Sequence, residues 1–141
     1  MPFTGPIEDR IAIRELLDTY ADAVTCHDAE AWSATWDEDA EWSLPDYPEI
    51  GTTRGRAAIV AMWTEAMKGF PGIMFEAWPG SIEVDGDTAR VRSWTSEVYD
   101  QNGRTLRDRG QYEDLCVKRD GKWLFKRRSF RNIHRQAAPK E

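Results

Sequence analysis

Residues 99–123 read YDQNGRTLRDRGQYEDLCVKRDGKW, and two dipeptides within them, Asn102-Gly103 and Asp120-Gly121, decide the fold. Asn-Gly and Asp-Gly accept the left-handed backbone that a two-residue hairpin loop needs, so each marks the point where one strand turns back on the next. A third such pair, Asp85-Gly86, stands upstream. The three turns predict a four-strand meander: about Ile73 to Trp78 with Ile82 to Val84, then Ala89 to Tyr99, Arg104 to Lys118, and Lys122 to Ile133. Alternation of apolar and polar residues falters around Arg92 to Thr95, which predicts a bulge and strong curvature.

The residues before Gly72 follow a different period. Ile13, Leu16, Leu17, Tyr20, Ala23 and Val24 recur at three-to-four spacing, which lines one side of a helix over residues 7–26. Pro6 suits its first turn. Asp28 offers a cap to a short second helix from Ala29 to Trp36, on which Ala31, Trp32, Thr35 and Trp36 share a face. Ala40 to Leu44 alternates as a half-buried strand, stopped by Pro45 and Pro48. A third helix is expected from about Arg56 to Lys68, with Ile59, Met62, Trp63 and Met67 inward and Gly69 closing it. Helices first and an antiparallel meander afterwards make the class α+β. The expected architecture is three N-terminal helices in the concave face of a strongly curved antiparallel sheet, a cone-shaped α+β barrel whose open end leaves one apolar pocket.

Composition bounds the function. The chain has 141 residues, 40% hydrophobic and 31% charged, as expected of a single domain of residues 1–141 with its core at about 7–133 and short tails. No apolar run reaches the length of a bilayer span, and the first residues carry no basic segment followed by an apolar one, so a cytoplasmic location is expected. Cys26 and Cys116 lack redox or metal spacing and read as reduced structural thiols. The net charge of −6 opposes nucleic acid. Lys126, Arg127, Arg128, Arg131 and Arg135 form a basic cluster, but alternation in a strand splits it between two faces. His27 and His134 are too far apart for a zinc site, and the acidic run Asp37, Glu38, Asp39 and Glu41 lacks the glycine and periodic oxygens of a calcium loop, so it reads as a solvated turn. No phosphate loop, nucleophile elbow or dinucleotide fingerprint is present, and neither a metal nor a cofactor is expected.

Several strings, in this order, resemble the SnoaL-like branch of the nuclear transport factor 2-like superfamily: residues 13–21 (IRELLDTYA), Asp39-Ala40-Glu41-Trp42, Gly55-Arg56-Ala57-Ala58-Ile59, Gly110-Gln111-Tyr112-Glu113-Asp114, and Asp120-Gly121-Lys122-Trp123. The resemblance runs from about Ile7 to Ile133 and is strongest to lyases such as scytalone dehydratase and hexachlorocyclohexane dehydrochlorinase. Those enzymes remove a proton with a histidine oriented by an aspartate, a pairing that fixes the tautomer and raises the basicity of the imidazole. Here the resemblance puts Thr25 at the aspartate position and Phe75 at the histidine position, or Glu76 there with a one-residue slip; neither Thr25 nor Phe75 can do that chemistry. It also implies that Trp42 and Arg128 belong to the pocket wall, with Phe130 and Asn132 sharing the inward face of Arg128 by alternation.

Candidate chemistry therefore falls on other groups. Glu113 shares a strand face with Gln111. In an apolar pocket its carboxyl would have a raised pKa and Arg128 as partner; as a surface residue it would do nothing. Glu76 is a second candidate base. Tyr20, Tyr99 and Tyr112 are candidate hydroxyl donors or core aromatics. The expected catalytic set is Glu113, Arg128 and Tyr20, with Trp42, Thr25, Phe75, Gln111, Phe130 and Asn132 lining the pocket. The expected function is binding of a small hydrophobic cyclic compound (polyketide, aromatic or terpenoid), with cofactor-free lyase or isomerase activity. The alternative is a non-catalytic binding module or an assembly subunit like the small subunit of ring-hydroxylating dioxygenases. A homodimer through the outer sheet face is expected, without nucleic-acid or membrane partners.

Overall fold

A computed structural model describes residues 1–137; residues 138–141, the end of the expected tail, lie outside the described residues. Three helices, α1 (Ile7–Cys26), α2 (Ala29–Ser33) and α3 (Arg56–Met67), accompany a seven-stranded sheet. The strands are β1 (Phe3–Thr4), β2 (Trp36–Leu44), β3 (Gly51–Arg54), β4 (Met74–Asp85), β5 (Thr88–Gln101), β6 (Arg104–Arg119) and β7 (Lys122–Ala137). The sheet order is β1-β4-β5-β6-β7-β2-β3. Asn102 and Gly103, and likewise Asp120 and Gly121, have positive φ, so both hairpins close through the left-handed loops that these residue pairs favour.

The sheet is mixed, which corrects the all-antiparallel expectation. β1 runs parallel to β4 and β2 runs parallel to β7. Both arise because residues from the helical half join the edges of the meander, and a two-residue strand such as β1 has no readable period. The four-residue β3 was missed for the same reason. β2 begins at Trp36, so α2 is shorter than expected: Thr35 Oγ1 donates to the Trp32 carbonyl at 2.7 Å and the Thr35 carbonyl accepts from Phe125 N at 2.8 Å, drawing the chain into the sheet. Asp28 does cap α2, accepting from Ala31 N at 3.0 Å. The C-cap of α3 is Lys68 in right-handed conformation, and Gly69 takes no positive φ.

Register shifts once where β2 joins β7, between Trp36 and Glu41, and curvature in the meander comes from three further shifts. One lies between Pro79 and Ser81, so the extra residue sits on β4, opposite the stretch of β5 where alternation falters. The other two lie between β6 and β7, at Leu115/Cys116 and Arg109/Gly110, and both put the extra residue on β7. Each shift changes which parity faces inward. Phe125, Arg128 and Arg135 consequently all lie on the inward side of the sheet, Arg135 at the cavity rim, although no single alternation joins them. Inside, Trp32 and Trp63 stack at 4.4 Å and 10°, and Trp32 and Trp36 are fully buried. No helix among the described residues is long and apolar enough to cross a membrane.

Candidate functional site

A cavity of about 370 Å³ opens between α1, α3 and the inward face of the sheet, at the small end of the size range of organic-ligand sites. Its innermost lining is aromatic and buried: Tyr20 from α1, Trp42 from β2, Trp63 from α3 and Tyr112 from β6. Phe75 and Phe130 form flanking walls, and Tyr47, Ile50 and Arg135 form the more exposed rim.

The inner end carries one polar constellation. Tyr20 Oη and Tyr112 Oη lie 3.2 Å apart, and Trp42 Nε1 donates to Tyr112 Oη at 3.1 Å. The two hydroxyls own two hydrogens and their mutual bond uses one, so one O–H remains free to donate to a bound oxygen. Burial raises both phenol pKa values, so both stay protonated as donors. Beneath the rings sits Arg128, its guanidinium carbon 3.6 Å from the Tyr112 ring centroid, 3.9 Å from Phe125 and 4.4 Å from Tyr20. Arg128 Nε and Nη2 donate to Asp114 at 2.8 and 3.0 Å, with both side chains almost wholly buried.

The rim carries a second constellation. Asp108 accepts from Tyr99 Oη at 2.8 Å and from Arg135 Nε and Nη2 at 2.8 and 3.2 Å. Tyr47 is held by Arg135 Nη2 at 3.2 Å and by Asn132 Nδ2, and the backbone of Asn132 donates to Asp46 at 2.8 Å. These bonds tie the 45–50 turn to β7. Beside Asp108, directly opposite in register, is Glu97. It lines the cavity, has no hydrogen-bond partner among the described residues, and is raised to about 7, first by burial and then by the charge of Asp108, with Arg135 opposing.

The position of Glu97 has a measurable consequence. Between pH 4.5 and about 7 the folded protein holds a proton that the unfolded chain has released, so stability falls as pH rises through that window. Glu97→Gln should abolish this fall and stabilise the protein at pH 8 by on the order of 2 kcal/mol, once the partial solvent exposure of the carboxyl is allowed for. Urea titrations of both proteins at pH 5 and pH 8 test this; equal pH dependence would refute it.

Several sequence expectations need correcting. Glu113 is exposed on the outer face, where it accepts from Gln111 Nε2 at 3.1 Å, so neither faces the cavity. The partner of Arg128 is Asp114, one residue along and on the opposite face. Glu76 also points outward. Arg128 is inward but lies behind the tyrosine rings and does not line the cavity, and Asn132 braces the rim through Tyr47. Asp37 is buried and receives Arg119 at 2.7 and 3.2 Å and Lys126 at 3.4 Å, so part of the acidic run anchors β2 to β7 and the β6–β7 hairpin. Trp42, Tyr20, Phe75 and Phe130 do line the cavity. Thr25 adjoins it: its Oγ1 accepts from Phe75 N at 3.0 Å and donates to the Ala21 carbonyl at 3.1 Å, stitching α1 to β4. The positions that the resemblance assigns to a dyad are thus neighbours here, occupied by groups that cannot exchange a proton.

Glu97, Tyr99, Asp108 and Arg135 were missed as a group. Alternation from Ala89 and Val91 through Ser93 and Thr95 does reach Glu97 and Tyr99, which was a readable signal. Arg135 was not readable by alternation from Arg128, because one register shift of β7, at Arg109/Gly110, lies between them.

Among solved structures, one from Novosphingobium aromaticivorans described as "Putative Scytalone Dehydratase" is 25% identical, with a TM-score of 0.82 over 96% of this chain and 91% of that one. Hexachlorocyclohexane dehydrochlorinase LinA-type3 from Novosphingobium barchaimii is 18% identical, with a TM-score of 0.80 over 94% and 91%. A second Novosphingobium aromaticivorans protein, described as a "putative aromatic ring hydroxylase", is 23% identical, with a TM-score of 0.81 over 96% of each chain. No curated protein matches the chain. The model of the SnoaL-like domain matches residues 6–129, spanning all three helices and most of the curved sheet, and the chain therefore belongs to the SnoaL-like family of the nuclear transport factor 2-like superfamily.

Proposed function

We propose that this protein is a cofactor-free lyase or isomerase acting on a small hydrophobic cyclic compound of polyketide, aromatic or terpenoid type. The observation that carries the proposal is Glu97: a carboxyl without a hydrogen-bond partner among the described residues, raised to about 7, sharing an aromatic cavity with a tyrosine pair that has one hydroxyl hydrogen to give. A group that titrates near working pH is suited to both accepting and returning a proton. In the proposed reaction the C–H bond beside a substrate carbonyl breaks and its proton passes to the Glu97 carboxylate. The electron pair moves onto the carbonyl oxygen, which the spare Tyr20/Tyr112 hydrogen stabilises. If a leaving group sits on the next carbon, it departs with its bonding electron pair, a hydroxyl taking the proton from Glu97 to leave as water, as the carbonyl re-forms and a double bond appears; otherwise Glu97 returns the proton at another carbon. Arg128 touches no substrate in this scheme. It positions the two phenols, with its charge balanced by Asp114.

Glu97→Gln should lower kcat/KM on any turned-over substrate by about 10²–10⁴-fold while leaving stabilisation by cyclic ketones, which donate no hydrogen bond to Glu97, in place. The check is a panel of cyclic ketones and alcohols with product detection by mass spectrometry. Unchanged turnover by the variant would remove Glu97 from the reaction.

A second reading, a non-catalytic binding module or assembly subunit, is favoured by Thr25 and Phe75 standing where the resemblance implies a dyad. Under it, ligands stabilise the protein and none is converted. The exposed apolar side chains Met74, Trp78 and Ile133 support the homodimer expectation in either case.

A further inference from the structure

We infer that the cavity is a charge filter: Glu97 selects ring compounds that bring a hydroxyl or an amine to the rim and turns away carboxylates. This deepens the proposal above and rests on its reading of the cavity as a ligand site.

The argument is a count of charges. Among the described residues, two carboxyls line the cavity, Glu97 and Asp108, and one cation, Arg135. Arg135 grips Asp108 with two nitrogens, and Tyr99 adds a third hydrogen bond to the same carboxylate. That cation is therefore neutralised, and the deeper Arg128 is neutralised by Asp114 in the same way. One carboxyl remains unmatched, and the groups that face it do not relieve it. β6 presents Asp108, β7 presents the already engaged Arg135, β5 adds Tyr99, and the register partner on β4 is Phe75.

A ligand carboxylate could approach the rim only against this charge, in surroundings where apolar walls weaken screening. Drawing Arg135 away for itself would strand Asp108, which is 4% exposed, directly opposite Glu97. A hydroxyl meets no such cost, because it can donate to Glu97 and satisfy an acceptor that has no partner among the described residues. An ammonium goes further: it supplies the missing charge and can lie against the rim aromatics. An ammonium also favours the ionised carboxyl, so its binding near neutral pH should expel the proton held by Glu97.

Three probes share one ring and differ in charge: tryptamine, tryptophol and indole acetate. Calorimetry and thermal shift on the full chain should show tryptophol and tryptamine binding at least about tenfold more tightly than indole acetate at pH 8. Glu97→Gln should narrow that gap to about threefold or less, chiefly by loosening tryptamine. At pH 7, the tryptamine heat of the unmodified protein should change with the ionisation enthalpy of the buffer, and the variant's heat should not. Indole acetate binding as tightly as tryptophol, or a tryptamine preference unchanged by Glu97→Gln, would overturn the filter while leaving the ligand cavity standing. If no probe binds and neutral indole fails as well, the cavity is not a ring-compound site, and the filter falls with the proposed function.

Discussion

Arg128→Met should lower unfolding free energy by about 3–5 kcal/mol. The reason is what stays behind. Asp114 is buried and depends on Arg128 for two hydrogen bonds, so without the guanidinium its charge loses the cation bonded to it. Burial already lifts the Asp114 carboxyl to about 6 with Arg128 in place; with the cation gone it would rise further and the side chain would fold protonated. The rings on Arg128 lose their contact too, since its guanidinium is within 4.4 Å of three of their centroids. Replacing both partners, Asp114→Leu with Arg128→Met, should recover most of the loss, because two apolar side chains of similar volume leave no buried charge. Chemical denaturation of the two single variants and the double variant decides this. Additive losses would mean that the pair is not the coupled unit described here.

Gly110→Ala should also be damaging, costing about 1–3 kcal/mol and altering the cavity. A Cβ at position 110 would come within 2.2 Å of Phe130 Cε2, 2.4 Å of its Cζ and 2.8 Å of Thr95 Oγ1. The Phe130 ring lies over this glycine from the adjacent strand, where Gly110 pairs with Asn132. It packs against Tyr112 at a centroid distance of 4.9 Å and forms one wall of the cavity. The added methyl group leaves the ring one way to go, into the ligand space. Probe binding should therefore weaken together with stability. Gly72→Ala is the control, because that Cβ would meet nothing within 4 Å and the position has no positive φ. Combining Gly110→Ala with Phe130→Ala should cost less than the sum of the two, since the ring is what the methyl group strikes. A Gly110→Ala protein as stable as the parent would show that the sheet yields there.

Local chemistry determined a great deal about this protein. Asn102-Gly103 and Asp120-Gly121 force the hairpins because few other residue pairs accept two consecutive left-handed conformations, and a three-to-four apolar spacing can make only a helix its buried face. The meander, the three helices, the α+β class and the inward facing of Tyr20 and Trp42 follow from such short-range rules. Tertiary structure alone decided the site's charge pattern. The alternation rule for β7 holds only between register shifts, and those shifts turn Arg128 toward Asp114 and Arg135 toward Asp108. Facing also separates Glu113 from Asp114: one residue of offset puts one carboxylate in water and the other beneath two tyrosines. Glu97 became distinctive only when Asp108 was brought opposite it and its walls were closed by Phe75 and the rim. A carboxyl's pKa depends on neighbours many residues away in the chain, and no local pattern encodes which of them arrive.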